Sequence, residues 1–145
     1  MRVEKYSALY FLDVVRLVEK FHKEYLTEFF GESNLDILTE TIMTHADNTY
    51  LLLNDESKCV GVLAGIVVDS KLSFDRFFQE IIWYVEKPFG GFGFFMIDEL
   101  QKILQSLGFT GIIMSILESP KSDKVKKIYV KKGFKPMEEH FLRKF

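Results

Sequence analysis

Three glycines within four residues, Gly90, Gly91 and Gly93, join the longest strand-like stretch of this chain to its clearest helix. Upstream, Phe77 to Val85 reads FFQEIIWYV, a buried strand by its β-branched and aromatic content. Downstream, Ile97, Leu100, Ile103, Leu104 and Leu107 recur at three- and four-residue steps, the buried face of a helix that Gly108 can stop. A strand that runs through glycines straight into a helix is a strong constraint, because it fixes a β-turn-α unit in the chain. It also has chemical content. Glycine admits close approach of a ligand and backbone angles that other residues resist. The first N–H groups of a helix lack internal partners and sit at the positive end of its dipole. Together these features suit a phosphate. Taken alone, the turn serves equally well as a tight connection with no ligand.

The remaining elements come from periodicity. Val3 to Tyr6 is a short strand, and Ser7 is placed to cap a helix carrying Phe11, Val14, Val15, Val18, Phe21 and Tyr25 on one stripe. Asn34 can cap a second helix with Leu35, Leu38 and Ile42 inward. Thr49 to Leu53 and Cys59 to Val68 are strands joined by the turn Asn54-Asp55-Glu56-Ser57. The second of them is apolar on both faces and belongs in the middle of a sheet. Ile112 to Leu117 is a further strand, Ser122 to Lys132 a short helix stopped by Gly133, and Phe134 to Phe145 a final extended segment. The order is β-α-α-β-β-β-α-β-α-β, a mixed α/β (α+β) chain. Its 145 residues fit a single domain over 1–145.

Composition narrows the function. The net charge of −2 does not advertise nucleic-acid binding, although Lys121, Lys124, Lys126, Lys127, Lys131, Lys132 and Lys135 crowd one segment. No apolar run approaches the roughly 20 residues that span a bilayer, and the charged N-terminus does not read as a signal peptide. Cys59 is the only cysteine, so no internal disulfide forms, which suits a cytoplasmic setting. The three His and one Cys are not spaced as a metal site.

The turn and the segments downstream of it resemble a known family. The strand–glycines–helix unit, succeeded by a strand and then Ile128-Tyr129-Val130-Lys131-Lys132-Gly133-Phe134, is similar to the GNAT acyltransferases. Those proteins carry an Arg/Gln-x-x-Gly-x-Gly/Ala turn and a downstream Tyr-x-x-x-Gly-Phe element. Gly91 and Gly93 match the two small positions, and Tyr129 to Phe134 matches the second element. Upstream, Tyr50 to Leu53 and Val60 to Gly65 resemble the family's second and third strands. Glu80 to Val85 resembles the fourth strand of a small bacterial and phage subgroup. The sequence departs from the pattern at Pro88 or Phe89, where the family has Arg or Gln, and at Ser122, where it has Asn.

The resemblance implies the GNAT fold: a mixed, mostly antiparallel sheet of roughly six or seven strands flanked by about four helices, splayed between strands four and five. It implies acetyl-CoA as cofactor and a primary amine as acceptor, on a small molecule or a peptide. A homodimer is compatible with it. Carried over by residue, the cofactor would meet Tyr84, Val85, Gly90, Gly91, Phe92, Gly93 and Phe94, with Ser122, Lys124 and Lys127 near its phosphates. Glu80, expected on the same strand face as Ile82 and Tyr84, is the candidate base, since burial in an apolar strand favours a protonatable carboxylate. Tyr129 is the candidate acid for the departing thiolate. His22, Tyr25 and Trp83 are candidates for the acceptor side, and the acids Glu24, Glu28, Glu32, Asp36 and Glu40 favour a cationic acceptor. Each assignment has a plainer alternative. Glu80 could pair with a buried cation, Tyr129 and Trp83 could be core aromatics, and the lysines a solvated face. Two other functions stay open: a non-catalytic CoA-binding module, and a protein-interaction module that keeps the fold.

Overall fold

In a computed structural model describing residues 1–145, the apolar runs assemble one sheet in the order β1-β2-β3-β4-β5. The strands are β1 (Arg2–Lys5), β2 (Thr49–Leu53), β3 (Cys59–Asp69), β4 (Arg76–Val85) and β5 (Gly111–Ile113). The first four are antiparallel neighbours, and β5 runs parallel to β4. Antiparallel neighbours need only turns, whereas the parallel pair needs a crossover, here the helix after the glycines. β3 lies at the centre, as its two-sided apolar character predicts, and Cys59, Val60, Val62 and Leu63 are fully buried.

The helices are α1 (Phe11–Phe21), α2 (Thr27–Phe30), α3 (Leu35–Thr44), α4 (Gly93–Ser106) and α5 (Ser122–Lys131). Val14, Leu17, Val18 and Phe21 form the buried stripe of α1. Ser7 does not cap α1. A short 3-10 turn, Ala8–Tyr10, comes between them, and the serine side chain caps nothing. Asn34 does cap α3, its Oδ1 accepting from the Asp36 and Ile37 amides at 3.0 and 3.1 Å. α4 ends in a left-handed Gly108 (φ 83°), with Phe109 N–H donating to Leu104 O and Gly108 N–H to Gln105 O. This pair of bonds is the helix-ending motif that glycine makes cheap.

The sheet has five strands rather than six or seven. Strand pairing stops at Ile113, so the expected strand over 112–117 is only three residues long. The segment 134–145 forms no strand at all. Its sequence explains this. Pro136 removes a ladder donor, and Lys135 to His140 offers no alternating apolar face to bury.

The chain divides into two compact units, Met1–Met114 and Ser115–Phe145. The first holds the whole sheet and α1–α4. The second holds α5 and the C-terminal segment. Within it Gly133 (φ 90°) ends α5 as Gly108 ends α4, Phe134 N–H donating to Tyr129 O.

Candidate active site

Strand β4 carries Glu80, Trp83, Tyr84 and Val85, and its register decides where they point. Directly paired residues of antiparallel strands share a face, and consecutive residues face opposite ways. Ala64 pairs with Ile82, but the next residue, Gly65, pairs with Glu80, which leaves Ile81 as a bulge. Glu80 and Ile82 therefore lie on opposite faces. The expectation that Glu80 shares a face with Ile82 and Tyr84 assumes strict alternation, and the extra residue breaks it. Glu80 instead lies with Phe78 and Trp83. It is buried, at 9% exposure.

Trp83 faces α4. A Cβ built on Gly93 would stand 3.1 Å from the Trp83 ring, and the indole packs edge-on to Phe94 with centroids 5.6 Å apart. Gly93 is thus small so that α4 can approach β4. Tyr84 faces the other way, and its hydroxyl donates to Glu24 Oε1 at 2.9 Å. Burial, and then this hydrogen bond, push the Tyr84 phenol up to about 12.

Glu24 belongs to a π-helical turn, His22–Leu26, that continues α1. The Thr27 N–H closes the turn on His22 O, five residues back. His22 Nδ1 lies 3.4 Å from Thr27 Oγ1. Tyr25 is 40% exposed and packs against Phe21, with centroids 5.8 Å apart. Of the acceptor-side candidates, Tyr25 lies near Tyr84 and His22 turns to Thr27, while Trp83 is on the opposite face of the sheet from Tyr84. On the Tyr84 face the structure adds Glu24, a residue that the sequence offers only as one acid among five. The signal that identifies it, a hydrogen bond spanning 60 residues, exists only in three dimensions.

Glu86 ends β4 and starts the glycine turn. Its amide donates to Val60 O at 2.9 Å, and its carbonyl accepts from Phe89 N–H at 2.8 Å. Its carboxylate receives Arg16 and, at 2.8 Å, Lys20. Arg16 also donates to Cys59 O at 3.1 Å. Burial opposes the charged form of Glu86, but the hydrogen bonds and charges of Lys20 and Arg16 outweigh it and hold the carboxyl below its usual range. Helix α1 is thereby tied to the ends of β3 and β4, directly beneath the turn. Nothing in the sequence marks these four residues as a set, since they are scattered from position 16 to 86.

The turn itself is wound as a 3-10 helix, Lys87–Phe92, with Pro88 in its first turn. No side chain caps α4, and the Gly93 N–H is given to Gly90 O. The expected row of amides from Gly90 to Phe94 is therefore partly committed within the chain. Gly90 and Gly91 are exposed, their φ angles are not positive, and a Cβ on either would meet nothing within 4 Å. Neither backbone angle nor packing requires glycine there. Beside the turn, Tyr84 is buried, Val85 is half-buried, and Phe92 and Phe95 stack edge-on with centroids 6.3 Å apart. The pairing of β4 with β5 covers only Phe77 to Gln79, which leaves the edge of β4 from Glu80 to Val85 unpaired by β5.

Tyr129, Ser122, Lys124 and Lys127 belong to the C-terminal unit. Tyr129 is buried, its ring 5.1 Å from Phe134 between centroids. Ser122 is buried, and its hydroxyl is engaged locally, donating to Ser119 O at 2.8 Å and Glu118 Oε1 at 3.2 Å. Lys124 and Lys127 are exposed, as are the other lysines of the cluster. No group of three His, Cys, Asp or Glu comes together to hold a metal ion. No helix is long and apolar enough to cross a membrane.

No protein-family model matches the sequence, and no curated protein matches it. Solved structures do match the fold. A probable acetyltransferase superposes with a TM-score of 0.76 at 18% identity, over 100% of this chain and 97% of that one. The ribosomal-protein-alanine N-acetyltransferase of Brucella melitensis biovar Abortus 2308 gives 0.76 at 12% identity, over 100% of both chains. A GNAT family acetyltransferase of Staphylococcus aureus gives 0.69 at 10% identity, over 99% of this chain and 98% of that one.

Proposed function

On the premise that the chain has the fold of the GNAT acetyltransferases, we propose that it transfers an acetyl group from acetyl-CoA to a primary amine. The observation that carries this reading is the pair Gly90 and Gly91. Folding places no demand for glycine at either position, yet both stand bare at the mouth of α4, where a diphosphate can reach the backbone. The unpaired edge of β4 beside them offers backbone groups of Tyr84 and Val85 to an extended ligand arm.

Acetyl-CoA supplies an acetyl group activated as a thioester. The chain supplies orientation and proton transfer. Glu80 is assigned to take the proton that the ammonium form of the acceptor must lose before its nitrogen can attack the carbonyl carbon. The C–N bond forms, the C–S bond breaks, and the products are an amide and CoA thiol. The family resemblance assigns Tyr129 the proton returned to sulfur. Lys87, exposed at the start of the turn, is the cation nearest in sequence to the position where Arg or Gln is missing.

A second reading has its own support. Pro88 and Phe89 cannot donate a side-chain hydrogen bond, and the Gly93 amide is already engaged. A module that holds CoA without turning it over would have these features. Calorimetric titration of acetyl-CoA into wild type and Gly91→Asp tests the cofactor site. Because a side chain at 91 meets nothing, the variant should fold normally and lose binding. Equal binding by both proteins refutes the site. Thiol release across a panel of amines, with Glu80→Gln and Tyr129→Phe, then separates enzyme from module. Turnover that neither substitution slows rejects the two catalytic assignments.

A further inference from the structure

The π-helical turn His22–Leu26 inserts one residue into the helix that begins as α1. One extra residue in a helical turn rotates the downstream residues by roughly 100°, and such insertions occur often at functional sites. Here the turn presents Glu24 to the face of β4 that carries Tyr84. The Glu24 hydrogen bond comes from a neutral phenol rather than a cation. The lysine one helical turn earlier, Lys20, would be its ordinary ion-pair partner, but it is committed to Glu86. Glu24 is thus an exposed carboxylate, oriented by a buried strand residue, while the lysine one turn back is engaged by Glu86. The next residue, Tyr25, presents a part-exposed aromatic ring. A carboxylate beside an aromatic face is what an ammonium group binds, by charge on one side and cation–π attraction on the other.

We propose that Glu24, held by the Tyr84 hydroxyl, and the ring of Tyr25 form a receptor for an ammonium group of the acceptor, and that the preferred acceptor carries a second cationic centre besides the amine it presents for acylation. This rests on the transferase reading. Tyr84 and Glu24 act here in recognition, with Tyr84 as the positioning residue.

The test uses two titrations, so that its failure and the failure of the transferase reading are told apart. Acetyl-CoA titrated into wild type, Glu24→Gln and Tyr84→Phe addresses the cofactor site alone. Its absence in wild type counts against the transferase. 1,4-Diaminobutane titrated into each protein saturated with CoA addresses the receptor, with n-butylamine as the singly charged control. The diamine should bind wild type at least tenfold more tightly than n-butylamine. Glu24→Gln should erase that preference while leaving CoA affinity unchanged. Tyr84→Phe, which keeps the ring and the carboxylate, should lose only part of it. Equal affinity of wild type for the two amines, no measurable diamine binding, or a preference that survives in Glu24→Gln overturns the receptor. Should Glu24→Gln unfold, Tyr25→Ala serves in its place, with the same loss of preference expected and its persistence again overturning the proposal.

Discussion

Replacing Glu86 by Gln keeps the shape of the side chain and removes the charge that Arg16 and Lys20 share. Breaking a buried ion pair costs about 3–5 kcal/mol, whereas exposed pairs contribute about 0.2–1 kcal/mol. The Glu86 side chain is only 11% exposed, but Arg16 is 34% and Lys20 47% exposed, so both cations can turn to water when the charge is gone. The expected loss lies between those limits, at about 1–2 kcal/mol at pH 7. For a chain of this length that is a fall in Tm of about 3–7 °C. Its pH dependence is the sharper criterion. Glu86 releases its proton more readily folded than unfolded. Its contribution is therefore fully present above the ordinary carboxyl value of 4.5 and is lost as pH falls through the lower folded value. Urea unfolding of wild type and variant at pH 7, 5 and 3 should show a gap that narrows toward the acid end, as the carboxyl begins to take up its proton. A gap that stays constant from pH 7 to 3 would mean that the ion cluster contributes nothing through charge.

Two further outcomes come from packing. Gly65→Ala would set a Cβ 2.5 Å from Cε1 of the fully buried Phe78 ring and 2.6 Å from Gln79 O, so about 2–3 kcal/mol of stability should be lost in urea titration; a change under about 0.5 kcal/mol would show that the ring yields freely. Burial, reinforced by the Asp13 charge, raises the Cys59 thiol to about 12, so the native protein should not react with a thiol reagent at pH 8 and should titrate as a single thiol once unfolded. Rapid labelling of the folded protein would contradict that burial.

Local signals in the sequence translate well into local structure. Asn34 has one short side chain and one set of orphan amides within reach, so its cap can be read from its position alone. Gly108 and Gly133 end their helices for the same kind of reason. Two-sided apolar content places β3 in the middle of the sheet. The features that escape a reading of the sequence depend on relations between distant segments. The face occupied by Glu80 is one, because a bulge is invisible until two strands are in register. The glycine turn is recognisable, but its three glycines divide into two roles, Gly93 admitting Trp83 and Gly90 and Gly91 leaving open space. That division needs the partner atoms. The Arg16–Lys20–Glu86 cluster and the Glu24–Tyr84 bond join residues 60 to 70 positions apart, beyond any periodicity. Over the C-terminal segment, length and extension suggest a strand, but Pro136 and the charged residues around it argue the other way and prevail.

The open space over Gly91 also makes the protein convenient to instrument. The native thiol is sealed inside β3, so a cysteine installed at position 91 would be the one sulfhydryl a maleimide dye could find. A fluorophore attached there would sit at the mouth of α4 with no neighbouring atom near its Cβ, and by covering the bare backbone it would compete with whatever needs that mouth.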